Sequence, residues 1–196
     1  MKICVYGAAS PEIRQTYLDA MYALSEYLAK RGHDLVFGAG DSGVMGAAAR
    51  GFHAGGGKVI GVAPSFFKVD GILYQHCDTF IESDDMADRK QIMESQADAF
   101  LVGPGGIGTL DEFFQAYTLK QLGQMNKPLV LYNVDGCFDP IVQLLRSLVD
   151  ERFMPAEALN LYHAATDMRE TADYIENYKA TNYSILDVRS IKQEDS

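Results

Sequence analysis

Residues 100–122 read FLVGPGGIGTLDEFFQAYTLKQL. The first three are an apolar run typical of a buried strand, the next six form a glycine-rich turn, and Thr109–Leu122 has the period of a helix. A strand, a glycine turn and a helix in this order form the repeating unit of a parallel sheet covered by helices. Because the same alternation runs through most of the chain, the sequence predicts an α/β fold with a mostly parallel sheet and helices on both faces.

Short apolar runs and longer helical stretches alternate on either side of this segment. Strands are predicted at Ile3–Tyr6, Leu35–Phe37, Val59–Val62, Thr79–Ile81, Leu129–Tyr132 and His163–Ala165. Helices are predicted at Glu12–Lys30, at Val44–Ala54, from a cap at Asp84 or Asp85 to Ala97, and at Phe138–Glu151, Ala156–Leu161 and Arg169–Tyr178. The small residues of the second helix predict close packing against the sheet. Residues 64–78 follow neither pattern and are predicted to be a surface excursion beside a pocket or an interface. We expect one domain over 1–178 and a polar tail over 179–196.

The composition limits the classes of function. Apolar residues make up 47% and charged residues 22%, values typical of a compact globular protein. The 27 acidic residues outnumber the 17 basic ones, and the formal charge of -10 argues against nucleic-acid and membrane-surface binding. Cys4, Cys77 and Cys137 form no metal-ligand pattern and are typical of reduced thiols. We therefore expect a cytoplasmic protein with no metal site and no membrane-spanning segment.

Two segments match G-x-G-x-x-G, at Gly38–Gly43 and Gly103–Gly108. In a dinucleotide-binding domain this motif follows the first strand, and an acidic residue about 20 positions later binds the ribose. Here the first strand is followed by Gly7-Ala8-Ala9-Ser10, and no acidic residue stands near position 63. The chain lacks the context of a nicotinamide or flavin site, so an oxidoreductase is a weak alternative.

The turn before Thr109 has the features of an anion site. Glycines at 105, 106 and 108 leave backbone N–H groups unshielded, and the following helix directs its own free N–H groups toward the same point. Neutral donors of this kind can bind a phosphate even in an acidic protein. The alternative is that the glycines serve only a tight turn and close packing.

Thr109 and Glu112 form T-x-x-E, a pattern with two interpretations. It is typical of a capping box, in which the two side chains bind backbone N–H groups of their own helix. However, Asp111 and Glu112 place two carboxylates beside the predicted phosphate site, where they weaken anion binding unless one faces another part of the ligand. Glu112 is within one sugar's length of the phosphate, so it could stabilise a cationic sugar or activate water.

Arg89 is a cation on the inner stripe of the helix that ends at Ala97. Arg89 or the neighbouring Lys90 could supply the positive charge that the acidic composition lacks. The alternative is that Arg89 extends to solvent or pairs with Asp85 or Glu94. The pattern alone leaves both interpretations open.

Two motifs follow each other closely, Met86-Ala-Asp-Arg89-Lys90 and Pro104-Gly-Gly-Ile-Gly-Thr-Leu-Asp-Glu112. Together they resemble the Lonely Guy family of phosphoribohydrolases, which act on cytokinin riboside 5′-monophosphates and, in bacteria, on AMP. The resemblance implies a Rossmann-like three-layer sandwich that forms a homodimer. It also implies that Arg89 and Glu112 are the catalytic pair and that the 105–109 turn binds the 5′-phosphate. The substrate-binding residues that it implies are Ser10, Gly43, Met86, Lys90, Gly105, Gly106, Ile107, Gly108 and Thr109.

The activity implied by this resemblance is hydrolysis of the N-glycosidic bond of AMP or of an N6-modified AMP, with no cofactor. The products are the free base and ribose 5-phosphate, and the partner is a small-molecule nucleotide. A non-catalytic nucleotide or molybdenum-cofactor carrier is the alternative, because such carriers have a similar architecture and a similar turn. In a carrier, Glu112 would be only a helix cap.

Overall fold

The computed structural model describes residues 1–68 and 72–180. Within them, seven strands form one sheet: β1 (Lys2–Tyr6), β2 (Asp34–Phe37), β3 (Val59–Pro64), β4 (Thr79–Ser83), β5 (Ala99–Val102), β6 (Leu129–Tyr132) and β7 (His163–Ala165). The strand order is β4-β3-β2-β1-β5-β6-β7, and each neighbouring pair is parallel. The predicted parallel sheet is confirmed.

Helices cover both faces of this sheet. In the described ranges they are α1 (Gln15–Lys30), α2 (Gly43–Ala54), α3 (Met86–Gln96), α4 (Ile107–Gln121), α5 (Asp139–Asp150) and α6 (Met168–Glu176), with 3-10 helices at Ser65–Phe67, Val134–Gly136 and Ala156–Leu161. Side chains of α1, α2 and α6 form the hydrophobic core on one face, and those of α3, α4 and α5 form the core on the other. The predicted three-layer sandwich is confirmed. None of these helices combines the length and the apolar character needed to cross a membrane.

Several boundaries differ from the predictions by a few residues. The helix after the glycine turn, α4, begins at Ile107 rather than Thr109, and α1 begins at Gln15 rather than Glu12. The predicted short helix at Ala156–Leu161 is a 3-10 helix. Of the predicted polar tail over 179–196, residues 181–196 lie outside the described residues. The single domain over 1–178 stays a prediction.

The predicted excursion over 64–78 is attached to the loop after β2. Asp41 N–H donates to the carbonyl oxygen of Ile72 at 3.0 Å, and Tyr74 N–H donates to that of Ala39 at 2.8 Å. These bonds flank an antiparallel bridge between residues 40 and 73. Residues 69–71 lie outside the described part of the chain. The second half of the excursion is therefore tied to the loop after β2 through its own backbone.

The small residues of α2 permit a close approach, and Gly51 and the C-cap residue Gly55 face α1. A Cβ added at Gly51 would lie 2.5 Å from the carbonyl oxygen of Tyr22, and one added at Gly55 would lie 2.5 Å from that of Glu26. Real Cβ atoms do not stand this close to a backbone oxygen. The predicted close packing of α2 is therefore partly packing against a second helix rather than against the sheet alone.

The strand order reverses at β1, which has β2 on one side and β5 on the other. The loops that follow β1 and β5 consequently leave the carboxyl edge of the sheet in different directions, and ligands of open parallel sheets bind in the crevice between such loops. The loop after β5 is the glycine turn that precedes α4. The topology thus places this turn at the crevice.

We predict that Gly51→Ala lowers the free energy of unfolding by about 1–3 kcal/mol, because the added Cβ meets the backbone of α1. The higher helix propensity of alanine offsets part of this cost. Urea denaturation followed by circular dichroism measures the change. The control is Thr16→Ala on the exposed side of α1, which should change the free energy by less than about 0.5 kcal/mol. A Gly51→Ala protein as stable as the wild type would contradict the close α1–α2 packing.

Candidate active site

The start of α3 is fixed by a side-chain cap. The carboxylate of Asp85 accepts hydrogen bonds from the backbone N–H groups of Ala87 and Asp88, both at 2.8 Å. The predicted cap is confirmed, and Asp85 is the residue that forms it. The cap sets the rotation of the helix. Arg89 lies one turn after Asp85, and its side chain points inward and is buried.

The Arg89 side chain lies beneath the protein surface, with 7% of its area exposed. Its Nε donates to the carbonyl oxygen of Val62 at 3.2 Å, and its Nη1 donates to Oε1 of Glu112 at 3.2 Å. The guanidinium also lies against Gly38, where an added Cβ would stand 1.6 Å from Nη2. A glycine at the end of β2 is therefore needed for the arginine to reach its partner. That partner lies on α4, so the alternative of a solvent-directed or locally paired arginine is wrong.

Glu112 forms the other half of a buried ion pair, with 12% of its side chain exposed. Burial raises the pKa of Glu112 to about 7, while the positive charge of Arg89 acts in the opposite direction. A carboxyl group that titrates near neutral pH is suited to proton transfer or to a charge that must be present at working pH. Such shifted groups cluster at functional sites.

The capping-box interpretation of T-x-x-E is wrong. The cap position of α4 is Gly106, which has no side chain with which to cap this end of the helix. Thr109 and Glu112 stand third and sixth in the helix, whereas a capping box joins the cap residue to the third residue. The carboxylate of Glu112 is thereby left to pair across the crevice with Arg89.

The second carboxylate of this helix, Asp111, is neutralised by Lys90. The Nζ of Lys90 donates to Oδ2 of Asp111 at 2.9 Å. Both cations stand side by side on α3, and both carboxylates stand side by side on α4. The two acidic residues that sequence reasoning places beside the phosphate site are therefore each compensated.

The glycines of the turn have different structural roles. A Cβ at Gly105 would lie 2.1 Å from Oγ1 of Thr109, so this glycine is required by packing. Among the described residues, a Cβ at Gly106 or Gly108 would meet no atom within 4 Å. Packing therefore explains the first glycine and does not explain the other two, which border open space at the helix N-terminus. Close packing, one part of the alternative, therefore does not explain these two glycines, and the phosphate site stays a prediction.

The loop after β1 closes the crevice from the other side. Ala8 N–H donates to the carbonyl oxygen of Pro104 at 3.1 Å, and Met45 N–H donates to that of Ala8 at 3.2 Å. Gly43 has a φ of +64°, and a Cβ there would lie 2.4 Å from the carbonyl oxygen of Ala8 and 2.6 Å from that of Ser10. Gly43 thus supports this loop from behind.

These elements surround a cavity of about 340 Å³. Of the residues predicted from the sequence, the structure brings together Ser10, Met86, Arg89, Lys90, Gly106, Gly108, Thr109 and Glu112 around it. Three predicted residues are not part of its lining. Gly43 and Gly105 are the supporting glycines described above, and the Ile107 side chain is 86% exposed.

Sequence reasoning missed four residues of this lining, Gly7, Ala8, Ala9 and Met45. The first three form the loop after β1, and the fourth lies in α2. These small or apolar residues carry no chemical signal of their own. The signal that could have found them is topological, because the loop after the first strand lies at the point where the strand order reverses.

A second cavity of about 360 Å³ adjoins the first, and Ala9, Met45, Met86 and Arg89 line both. Its other apolar side chains come from the excursion and are Phe67, Ile72 and Leu73. Ser42, which precedes α2, is its polar side chain besides Arg89. The site therefore has a polar half, which contains the glycine turn and the ion pair, and an apolar half, which ends at the excursion.

A protein-family model described as "Possible lysine decarboxylase" matches residues 45–175. Over 177 residues the chain is 36% identical to a rice protein (Oryza sativa subsp. japonica) named "Probable cytokinin riboside 5'-monophosphate phosphoribohydrolase LOGL3", a match that covers 90% of this chain and 84% of that protein. It is 35% identical to the cytokinin riboside 5'-monophosphate phosphoribohydrolase LOG2 of Arabidopsis thaliana, with 90% and 83% covered.

A solved structure of the molybdenum cofactor carrier protein of Chlamydomonas reinhardtii superimposes with a TM-score of 0.68 at 23% identity, covering 90% of this chain and 96% of that one. At this level of identity the likeness shows the fold alone. The family is shown by the identity to the named relatives and by the length of chain that the match covers. The chain belongs to the Lonely Guy family of cytokinin riboside 5′-monophosphate phosphoribohydrolases.

Proposed function

We propose that this protein hydrolyses the N-glycosidic bond of a purine nucleoside 5′-monophosphate, either AMP or an N6-modified AMP such as a cytokinin riboside 5′-monophosphate. The products are the free base and ribose 5-phosphate. The observation that carries the proposal is the buried Arg89–Glu112 pair beside the uncapped N-terminus of α4. The named activity of the curated relatives supports it.

The phosphate is proposed to bind at the first turn of α4. The N–H groups of Ile107, Gly108 and Thr109 have no acceptor within the helix, and the helix dipole favours an anion at this end. The bare glycines let a phosphate approach these donors, and the Thr109 hydroxyl adds another. Phosphate binding here would fix the rest of the nucleotide along the cavity toward Glu112.

Glu112 is proposed to act on the sugar. Hydrolysis breaks the bond between C1′ and the base nitrogen and forms a bond from C1′ to a water oxygen, with one water proton ending on the departing base. The transition state carries positive charge on the sugar ring. An ionised carboxylate in a buried site stabilises such a charge strongly, since little water screens it, and it can also orient the attacking water.

Arg89 is proposed to orient rather than to transfer a proton. A guanidinium stays charged at all working pH values and is a poor proton donor. Its Nε and Nη1 hold Val62 and Glu112, and its position in the lining of both cavities lets the rest of the group contact the nucleotide. Arg89 would therefore set the position of the carboxylate and of the substrate together.

We also propose that the protein is a cytoplasmic homodimer. Helix α5 exposes Leu144, and the loop after it exposes Phe153, which is apolar area that a second copy can cover. Sedimentation equilibrium of the purified chain should give twice the mass of the chain. A monomer mass over the whole concentration range would contradict the dimer.

Glu112→Gln should lower turnover by about 10²–10³-fold, because an uncharged amide cannot stabilise the cationic sugar, while binding of AMP is largely kept. Chromatography for free base and ribose 5-phosphate, with AMP and with N6-isopentenyl-AMP as substrates, measures the change. The matched control is Glu94→Gln, a half-buried carboxyl on α3 that binds Gln115 and should leave turnover within about twofold.

Full turnover by Glu112→Gln would remove the chemical role of the carboxylate. Tight nucleotide binding by the wild type without release of base would favour the non-catalytic carrier over the hydrolase. These two outcomes can be told apart, because the first is seen only if the protein releases base and the second only if it does not.

The pH dependence of kcat/KM should follow the ionisation of Glu112 in the free enzyme. Burial raises the pKa of Glu112 to about 7. Because the ionised form is the active one, kcat/KM should fall about tenfold per pH unit below this value and reach a plateau above it. Arg89→Gln removes the charge that lowers this pKa, so the inflection should move to higher pH.

Steady-state kinetics between about pH 5 and about pH 9 provide the test. A rate that is flat across this range, or that rises as the pH falls, would show that the ionised carboxylate is not required. A downward shift of the inflection in Arg89→Gln would contradict the electrostatic coupling of the pair.

A further inference from the structure

The apolar cavity is the space into which the base of a bound nucleotide extends, a step that rests on the proposed function. With the phosphate at α4 and the sugar at Glu112, the base must lie beyond the sugar. The cavity of about 360 Å³ shares Arg89 and Met86 with the polar half of the site. Its volume is within the range of about 300–1,000 Å³ that is usual for ligand pockets. Its apolar lining suits the faces of a heteroaromatic ring.

One side of this cavity is formed by the segment 72–78, here called the wall segment. Ile72 and Leu73 line the cavity, while Tyr74 is buried behind them and is not part of the lining. The backbone of the wall segment is bound to residues 39–41 at one end. At its other end Asp78 N–H donates to the carbonyl oxygen of Val59 at 2.9 Å.

Three side chains outside the cavity fix the wall segment between these two ends. The Tyr74 hydroxyl lies 2.8 Å from Nδ1 of His53, and Nε2 of His53 lies 3.0 Å from Oδ2 of Asp78. The same Oδ2 accepts the backbone N–H of Val59 at 2.8 Å. These hydrogen bonds hold the pKa of Asp78 below its usual value.

The direction of the bond to Asp78 follows from its chemistry. An ionised carboxylate only accepts, so Nε2 of His53 donates to Oδ2 of Asp78, while Nδ1 shares a hydrogen bond with the Tyr74 hydroxyl. Tyr74 also packs edge-on against Phe37 of β2 and lies beside the His53 ring. The network thus joins the wall segment to α2, β2 and β3.

We propose that Tyr74, His53 and Asp78 are positioning residues that set the affinity for the base by holding Ile72 and Leu73 against the cavity. They touch neither the phosphate nor the sugar subsite, because none of them lines the polar cavity. Loss of the network should therefore weaken binding of a complete nucleotide and leave binding of its sugar phosphate unchanged.

The test compares two ligands, AMP and ribose 5-phosphate, by calorimetry in the Glu112→Gln chain, so that AMP is not consumed. Tyr74→Phe removes one hydroxyl and should weaken AMP binding about threefold to tenfold, the effect of one lost hydrogen bond. The dissociation constant of ribose 5-phosphate should change by less than about twofold. In the active chain the same substitution should raise KM and leave kcat unchanged.

The matched control is Tyr117→Phe, which removes the hydroxyl of another buried tyrosine, one that donates to the carbonyl oxygen of Ala158 at 2.9 Å away from both cavities. It should leave both dissociation constants unchanged. His53→Ala should weaken AMP binding at least as much as Tyr74→Phe, because it also removes the hydrogen bond to Asp78. The double variant should bind AMP no more weakly than His53→Ala alone, because the hydrogen bond between Tyr74 and His53 is already lost there. Ile72→Asn, at an exposed position of the wall segment, should weaken AMP selectively without altering the network.

Equal weakening of both ligands in Tyr74→Phe would show a general structural role and would overturn the proposal, as would unchanged AMP binding in Tyr74→Phe and Ile72→Asn. Full additivity in the double variant would show that Tyr74 and His53 do not act together, and would overturn it too. If AMP binding responds as expected but the wild-type chain releases no base, the wall segment keeps its role and the hydrolase proposal fails. If the wild-type chain releases base but Tyr74→Phe weakens AMP and ribose 5-phosphate equally, the hydrolase proposal stands and the proposed role of the wall segment fails.

Discussion

The site depends on one buried ion pair between helices that follow different strands. Removing one partner of such a pair typically costs about 3–5 kcal/mol, because the other charge is left without compensation. The pair therefore constrains its surroundings: Gly38 must lack a side chain for the guanidinium to pass, and the carbonyl oxygen of Val62 must face it as an acceptor. It also holds Glu112 at a depth where burial brings its pKa near neutrality. The burial of the Arg89–Glu112 pair thus accounts both for the glycine at position 38 and for the raised pKa of Glu112.

An acidic chain can accommodate an anionic ligand when its local charges are balanced in pairs. The formal charge is -10, yet the two carboxylates beside the glycine turn each face a cation of α3, Arg89 for Glu112 and Lys90 for Asp111. With these charges compensated, the field at the turn is set by the free N–H groups and the dipole of α4. Two adjacent cations on one helix and two adjacent carboxylates on the next are sufficient for this balance. The overall charge of the protein is then of little consequence for the phosphate.

The order of the elements could be predicted because it follows from local patterns, whereas the pairing within the site could not. Short apolar runs and glycine turns predicted the seven strands of the described sheet to within a few residues. The partner of Arg89 lies 23 positions away on another helix, and residues of its own helix fitted the pattern equally well. The capping box failed because α4 begins at Ile107, two residues before the predicted start. The two-residue difference in the helix start separates the predicted role of Glu112, binding the backbone N–H of its own helix cap, from its observed role as one half of the ion pair.

The apolar half of the site was foreseen only as an excursion beside a pocket, since its residues are brought together by tertiary structure. His53 lies in the last turn of α2, Tyr74 belongs to a loop and Asp78 precedes β4, so no periodicity links them. The reacting pair and the wall segment therefore belong to different kinds of structural element. The reacting pair stands on helices that are packed on the sheet, while the wall segment is a loop attached by hydrogen bonds and by the core contacts of Leu73 and Tyr74. Loops accept change without loss of the fold. The chemistry can therefore stay fixed while the part of the protein that meets the base varies, because the reacting pair stands on α3 and α4 and the wall segment is a separate stretch of chain.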